Sequence, residues 1–399
     1  MSAESRYQIV TNELANACLR IQWRDGHCSE FHPIWLRHQC ECSDCGTPLN
    51  AVRALRIYHI PADISIASIE HQHGCIRIVW SNDHHRSEYS ARWLRDHCYS
   101  LRERQARKHR PILWDHNIGD NPPAFDFAAA EGDPSCRLEM LEAVADYGFC
   151  KIVNSPGDLE QAERLISLVG ARRQTHFGFY QLSKKPSINN VGDIKHELVP
   201  HCDETYRTST IGITVFQVIR PAKVGGDSTL MDGFEAVRRL RDTDPDGFDL
   251  LTRLPVFAQR LDTDYLHLDM PRLYQCRLPV IRLDEDGDVV GVRINERQIS
   301  LLDVAPELIE PTYSALRNLM KIVYEPDLLI QFPLKKGEGL LFNNQRVLHG
   351  RTAFETETPG RSVLTNSVDL EDFYSNLRML TSKLKPDQPP TTYTQGLVT

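Results

Sequence analysis

The sequence predicts an α+β protein: a small β-rich module, then a larger β-sandwich or barrel with helices on its outside. Three observations lead there. Short runs of alternating apolar and polar residues recur along the chain, bounded by Gly, Pro, Asn or Asp. Helical periodicity is confined to a few segments. A length of 399 residues suggests two domains.

The boundaries fall at 1–105 for the small module, 106–124 for a linker, 125–385 for the larger domain and 386–399 for a flexible tail. In the module, Ala17–Trp23 alternates apolar and polar, and Asp25-Gly26 after it is a hairpin signal. Residues 51–57, 68–69, 75–80 and 87–90 are further strand candidates. Trp35-Leu36-Arg37-His38 and Trp93-Leu94-Arg95-Asp96 echo each other, too weakly in sequence to count as a repeat. Cys40, Cys42 and Cys45 stand in a C-x-C-x-x-C cluster that needs a fourth ligand to close a tetrahedral zinc site. His84 and His85 both qualify, and the bland alternative is three reduced thiols in a loop. The other cysteines are scattered singly, as in a reducing compartment. The basic run Arg104–Pro111 reads as a solvated connection rather than a nucleic-acid patch.

In the larger domain, Leu138–Gly148 and Leu159–Gly170 each read as a helix ending on Gly. Phe149–Val153 and Thr210–Ile219 read as strands, the second stopped by Arg220-Pro221. Thr229–Met231 is a short strand and Gly233–Asp242 a helix. Leu278–Arg282 and Val289–Ile294 flank an acidic turn. Pro311–Val323 is amphipathic, with Pro at a first helical position. Leu328–Phe332, Gly339–Phe342 and Arg361–Thr365 complete the strands.

Composition narrows the function. A net charge of −8 with mixed signs argues against a nucleic-acid partner, which needs a basic face. No apolar run is long enough to span a bilayer, so no membrane partner is expected. The polar Met1–Arg6 start lacks an apolar signal core, which predicts a cytoplasmic protein.

His201-Cys202-Asp203 holds two good metal ligands one residue apart, and His349-Gly350-Arg351 supplies a distant third. Two histidines and a carboxylate on one face of an ion leave three positions open, which suits non-haem Fe(II) and oxygen. A lone His-x-Asp is usually a surface pair. The further His-Gly and the trailing Arg361 make the set specific.

These motifs resemble the γ-butyrobetaine hydroxylase group of Fe(II)/2-oxoglutarate dioxygenases over nearly the whole chain. Trp35-Leu36-Arg37 before the cysteines and His85–Leu94 carry the N-terminal likeness. Asn189-Asn190-Val191, His201 and Asp203, Gly225–Ser228, Asp232-Gly233-Phe234 and His349-Gly350-Arg351 carry the rest. The resemblance implies a double-stranded β-helix (jelly-roll) catalytic domain, a small zinc-binding N-terminal domain and a homodimer. It implies iron on His201, Asp203 and His349. It places zinc on Cys40, Cys42, Cys45 and His85, choosing His85 over His84. It places 2-oxoglutarate on Arg361 and Ser228. The expected reaction consumes O2 and 2-oxoglutarate, releases succinate and hydroxylates a small zwitterion. A degenerate, inactive binding protein is the rival from another class.

Departures from the family pattern bear on the substrate. Where an aromatic cage for trimethylammonium is expected, the chain has Phe177, Gln181 (or Tyr180), Asp193 and Ser367. Asn190 is kept at the anion end, and Arg297 replaces a second Asn. Phe179 and Tyr206 are alternative rings. Asp193 suits a cation with N–H donors, and Arg297 suits an anion of higher charge than a carboxylate. This points to 2-aminoethylphosphonate or its N-methylated form, hydroxylated on the carbon next to phosphorus. The alternatives are γ-butyrobetaine and trimethyllysine hydroxylation.

Overall fold

The computed structural model describes residues 6–47, 49, 52–82, 84–174, 180–183 (backbone only), 196–263, 270–355 and 361–393. The chain divides into two compact units. One runs to Lys108 and includes Pro389–Thr392; the other is His109–Gln388 with the residues from Tyr393.

The smaller unit contains two three-stranded antiparallel sheets. The first is β1 (Ile9–Ala15), β2 (Cys18–Trp23) and β3 (Cys28–Phe31), followed by a helix at Pro33–His38. A two-stranded ribbon, β4 (Gly46–Thr47) with β5 (Val52–Arg53), comes next. The second sheet is β6 (Ile66–Gln72), β7 (Cys75–Trp80) and β8 (Arg86–Ser90), followed by helices Ala91–Asp96 and Leu101–Arg107. The alternation read in the sequence sorts the central strands by face. Leu19, Ile21 and Trp23 point inward from β2, and Ile76, Ile78 and Trp80 from β7, into one core with Phe31, Leu36, Tyr89 and Leu94. Among the described residues of the strand expected at 51–57, Val52 and Arg53 form a ladder with β4.

The larger unit begins with β9 (Ala124–Asp126), helices Phe127–Gly132 and Pro134–Tyr147, and β10 (Phe149–Val153). Gly148 caps the longer helix at φ 79°, as the sequence predicts. Helix Leu159–Val169 precedes β11 (Tyr180–Ser183), β12 (Leu198–His201), β13 (Ile213–Arg220) and β14 (Ser228–Asp232). An insertion follows: helices Gly233–Thr243 and Pro245–Arg253, the hairpin β15 (Pro255–Asp262) with β16 (Arg272–Pro279), the pair β17 (Ile281–Leu283) with β18 (Val289–Val292), and helix Pro306–Val323. The chain returns through β19 (Ile330–Phe332), β20 (Gly339–Asn343), β21 (Val347–Arg351) and β22 (Ser362–Val368) to the helix Leu370–Leu384.

Strands β11–β14 and β19–β22 alternate between two sheets. One is ordered β11-β22-β13-β20-β10-β9 and the other β12-β21-β14-β19. This interleaving is a jelly-roll. Val218, Phe342 and Val363 of the larger sheet meet Leu230, Ile330 and Val347 of the smaller one. The larger sheet's other face (Cys150, Ile152, Ile213, Val215, Val368) is covered by the helices carrying Leu141, Val144, Leu165, Phe373 and Leu377. The insertion helices pack beside Met231 and Leu348.

Several expectations are corrected. Residues 109–124 are not a free connection. Trp114 is buried, donates from Nε1 to the Tyr147 carbonyl at 2.6 Å and from its amide to Asp232 at 3.2 Å. The last helix of the insertion starts at Pro306, and Pro311 lies inside it. The strand expected at 278–282 is broken, since β16 ends at Pro279 and β17 starts at Ile281. The tail is not frayed up to residue 393. Thr392 donates to the Arg107 carbonyl at 2.7 Å, and Tyr393 stacks on Tyr374 with centroids 4.9 Å apart. Among the described residues no helix is long and apolar enough to cross a membrane.

Candidate active site and metal centres

β12 and β21 are antiparallel neighbours, and their register places His201 directly opposite His349. The rings lie 4.3 Å apart. Asp203, just beyond the end of β12, reaches back between them. Its two oxygens lie 3.4 Å from His201 Nε2 and 3.4 Å from His349 Nε2. The close approach of the two strands depends on Gly350. A Cβ there would fall 2.3 Å from the Leu198 carbonyl oxygen and 2.8 Å from Thr229 Oγ1.

The surroundings fix each donor. His201 Nδ1 lies 2.9 Å from the Val199 carbonyl, which can only accept, so Nδ1 carries the proton and Nε2 offers its lone pair inward. Burial, then the neighbouring His349, hold His201 below the usual imidazole range. Burial alone would raise the Asp203 carboxyl, but His349 and His201 outweigh it and hold it well below the usual range. The set is therefore a carboxylate facing two imidazole nitrogens, a donor arrangement one divalent ion can bridge. The group His201, Asp203 and His349 has all its donor atoms within 4.8 Å of one another.

Two carboxamides that the sequence reading missed hold the ligand loop. The buried Asn344 accepts from the Asp203 amide at 2.7 Å and donates to the Asp203 carbonyl at 3.0 Å. Asn295 donates to the Cys202 carbonyl at 3.0 Å, and the Cys202 amide donates to Ile294. Glu204, with φ 53°, turns inward beside Arg207 at 3.2 Å, and burial raises its carboxyl.

Arg361, at the start of β22, lies over the Phe216 ring at 5.7 Å. Among the described residues no carboxylate pairs with it. Burial, then the neighbouring Arg351, lower its guanidinium to about 10. A half-buried guanidinium with no carboxylate beside it suits an anion. Ser228 is buried on β14, opposite Arg351 in register.

The substrate candidates are distributed unevenly. Phe177, Phe179, Asn190 and Asp193 lie outside the described residues. Tyr180 and Gln181 belong to β11, pairing with Thr365 and Leu364. Ser367 is buried on β22 opposite Thr214, in the same alternation as Val363, which faces the second sheet. Tyr206 is buried against Tyr274, with centroids 5.6 Å apart, and its phenol is driven far up by burial. Arg297 opens to solvent on one side, yet burial of the rest lowers its guanidinium, while Asp203 acts against that shift. It thus stands within electrostatic reach of the ligand set.

In the smaller unit, His85 Nε2 lies 3.4, 3.5 and 3.6 Å from the sulfurs of Cys40, Cys42 and Cys45. A tetrahedral zinc with bonds of about 2.3 Å to sulfur and about 2.0 Å to nitrogen would put these atoms about 3.5 Å apart. The donors fit that ion. Arg37 Nη1 donates to Cys45 Sγ at 3.3 Å, a hydrogen bond to the thiolate a metal would require.

Two imidazoles and a carboxylate converging inside a jelly-roll suit a mononuclear non-haem iron centre. The family model "Taurine catabolism dioxygenase TauD, TfdA family" matches residues 108–366, and the chain belongs to that family. It is an enzyme, a dioxygenase dependent on iron and 2-oxoglutarate. The model "Gamma-butyrobetaine hydroxylase-like, N-terminal" matches residues 10–95. Trimethyllysine dioxygenase of Meyerozyma guilliermondii is 28% identical over 95% of this chain and 98% of its own. Gamma-butyrobetaine dioxygenase of Pseudomonas sp. is 29% identical over 90% and 93%, and that of Homo sapiens 25% over 92% and 95%. A taurine dioxygenase structure from Burkholderia xenovorans aligns at a TM-score of 0.47 and 14% identity, over 65% of this chain and 89% of its own.

Proposed function

We propose that the protein hydroxylates a C–H bond of a small ammonium-bearing zwitterion. The observation that carries this reading is His201, Asp203 and His349 meeting at one point within a member of a dioxygenase family. These three residues would hold iron(II), and Arg361 the distal carboxylate of 2-oxoglutarate, its planar fork matching that anion. The Ser228 hydroxyl would add a hydrogen bond to the cosubstrate. Iron(II) with 2-oxoglutarate and O2 supplies the oxidant for hydroxylation, with succinate and CO2 as coproducts. The protein's part is to keep one C–H bond near that point and water away from it. Cys40, Cys42, Cys45 and His85 would hold a structural zinc, closed to substrate because all four positions are taken.

The relatives' names favour a trimethylammonium substrate of the γ-butyrobetaine or trimethyllysine kind. One observation favours a second reading, 2-aminoethylphosphonate or its trimethyl form. Arg297 is a second guanidinium within electrostatic reach of Asp203, which suits an anion of higher charge than a carboxylate. Side-by-side turnover of γ-butyrobetaine, trimethyllysine, 2-aminoethylphosphonate and its trimethyl analogue separates these readings. Preferred oxidation of either carboxylate refutes the phosphonate reading, and preferred oxidation of a phosphonate overturns the first. Absence of succinate release with all four, in protein loaded with iron, refutes a substrate of this zwitterion class.

A further inference from the structure

The smaller unit holds two copies of one module, offset by 57 residues before a turn and 58 after it. β1 and β6 each carry a register irregularity at the same place, Ile9/Thr11 against β2 and Ile66/Ser68 against β7. Each tight turn that follows uses positive φ: Asn16 and Ala17 in one, His73 and Gly74 in the other. Trp23 Nε1 donates to Ser29 Oγ at 2.8 Å, and Trp80 Nε1 to Ser87 Oγ at 2.9 Å. Arg20 pairs with Glu30 and Arg77 with Glu88, each at 2.6 Å. The helices Pro33–His38 and Ala91–Asp96 then place Trp35 opposite Trp93 in the correspondence, Arg37 opposite Arg95, and Cys40 opposite Cys98. The Trp-Leu-Arg echo, too weak in sequence to count as a repeat, is one in structure.

The correspondence extends to the ligands. In the first corner a histidine of the second module, His85, meets Cys40 of the first at 3.4 Å. In the second corner the exchange is reversed: His27 of the first module has Nε2 3.5 Å from Cys98 of the second. Counting onward from the shared cysteine, Ser100 stands where the first corner has Cys42, and Glu103 where it has Cys45. Even the arginine contact is kept. Arg37 donates to Cys45 Sγ at 3.3 Å, and Arg95 Nη1 lies 3.0 Å from Glu103 Oε1.

We propose that His27, Cys98, Ser100 and Glu103 form a degenerate twin of the Cys40, Cys42, Cys45 and His85 corner, in which protein charges have replaced the metal. The inference rests on the zinc reading of the first corner. Where zinc would supply positive charge to three thiolates, Arg95 and Arg6 supply it to the buried Glu103, at 3.0 and 3.1 Å. Ser29 Oγ lies 3.2 Å and Ser100 Oγ 3.5 Å from Cys98 Sγ, so the sulfur sits among hydrogen-bonding groups rather than beside an ion. His27 turns its two nitrogens to different partners, Nε2 to Cys98 and Nδ1 to Glu103 at 3.9 Å. Only Cys98 thus faces the nitrogen that corresponds to His85 Nε2, and one sulfur with one imidazole falls two strong donors short of the tetrahedral set.

The test restores the missing donors in the full-length protein with S100C/E103C, under reducing conditions. Zinc content and cobalt(II) titration are read for wild type and variant. The wild type is expected to hold one equivalent in this unit and the variant one more, with the second cobalt giving the same tetrahedral thiolate absorption as the first. A folded variant that gains no equivalent overturns the proposal. So does a wild type with two equivalents that loses one in C98S. If S100C/E103C does not fold, E103C alone is read in the same way, and a gain of one weaker equivalent supports the proposal while no gain overturns it. A wild type with no zinc removes the zinc reading alone; the variant's gain over wild type still decides the correspondence.

Discussion

Arg346 and Asp232 form an ion pair with no exposed side-chain surface on either partner. Arg346 donates from Nε and Nη2 to the two carboxylate oxygens at 3.0 and 2.9 Å. Its remaining donors go to the Asp146 and Ile112 carbonyls. Asp232 also accepts from the Trp114 and Phe234 amides, so it joins β14, the helix after it and the β20–β21 turn. Arg346→Ala leaves a carboxylate and two carbonyls buried without their partner. Removing one member of such a pair costs about 3–5 kcal/mol, against a total stability of about 5–15 kcal/mol for a domain. The variant should lose about 4 kcal/mol, roughly a thousandfold in the folding equilibrium. Asp232→Ala should lose a similar amount plus about 1 kcal/mol for the N-cap of Gly233–Thr243. The double variant R346A/D232A should fall short of the sum by at least about 2 kcal/mol, because the second change removes the charge the first one stranded. Urea unfolding followed by circular dichroism, with hydrogen exchange resolving β14 and β21, measures all three. A loss below about 1 kcal/mol in R346A, or strict additivity in the cycle, would refute the reasoning.

Two further outcomes follow from contacts described above. Asn344→Leu keeps all three candidate iron ligands but frees the Asp203 main chain, so iron(II) affinity should drop about 10–100-fold; an unchanged dissociation constant in a folded variant would mean the loop holds itself. His27 is held below the usual imidazole range by burial first and Arg95 next, with Arg102 adding and Glu103 and Asp25 opposing. The unfolded chain therefore binds more protons than the folded one as pH falls below about 6.5. Stability from this group is complete above that pH and declines below it until the folded pKa is passed. The thermal midpoint of the smaller unit should fall between pH 7 and 5.5, and His27→Gln should flatten that slope; a slope identical in the variant would assign it to other groups.

The convergence of His201, Asp203 and His349 was legible in the sequence because a metal-binding set of this kind constrains residue type and order. His-x-Asp and a later His-Gly leave few other readings, and Gly350 is required by the close approach of β12 to β21. The supporting carboxamides were not legible. Asn344 and Asn295 act on main-chain groups, and nothing in their spacing marks a partner that only the tertiary fold brings near. The module repeat was hidden by a single extra residue in the second turn, which shifts the offset halfway through, and by Ser100 and Glu103 standing where the first module has Cys42 and Cys45. Residues 109–124 were misread for a related reason. Their polar composition suits a linker, and one tryptophan, Trp114, anchors them through two hydrogen bonds that periodicity cannot reveal. Tyr206, expected as an alternative ring of a substrate cage, is buried with its ring against Tyr274, a contact that its sequence neighbours do not announce.

β22 is the last strand among the described residues, yet it lies inside its sheet between β11 and β13. A chain emerging from the ribosome therefore exposes the edges of both neighbours until its final tenth has been made. His201 and Asp203 likewise wait for His349 before three donors can converge. The thiol corner needs only residues 40–85, so its donors are complete early, while the oxygenase centre has no third ligand to offer. Synthesis runs from the N-terminus and domains fold largely as units. Topology thus separates in time the soft, sulfur-rich cluster from the candidate iron site. The iron site comes into being only when the sheet around it can close.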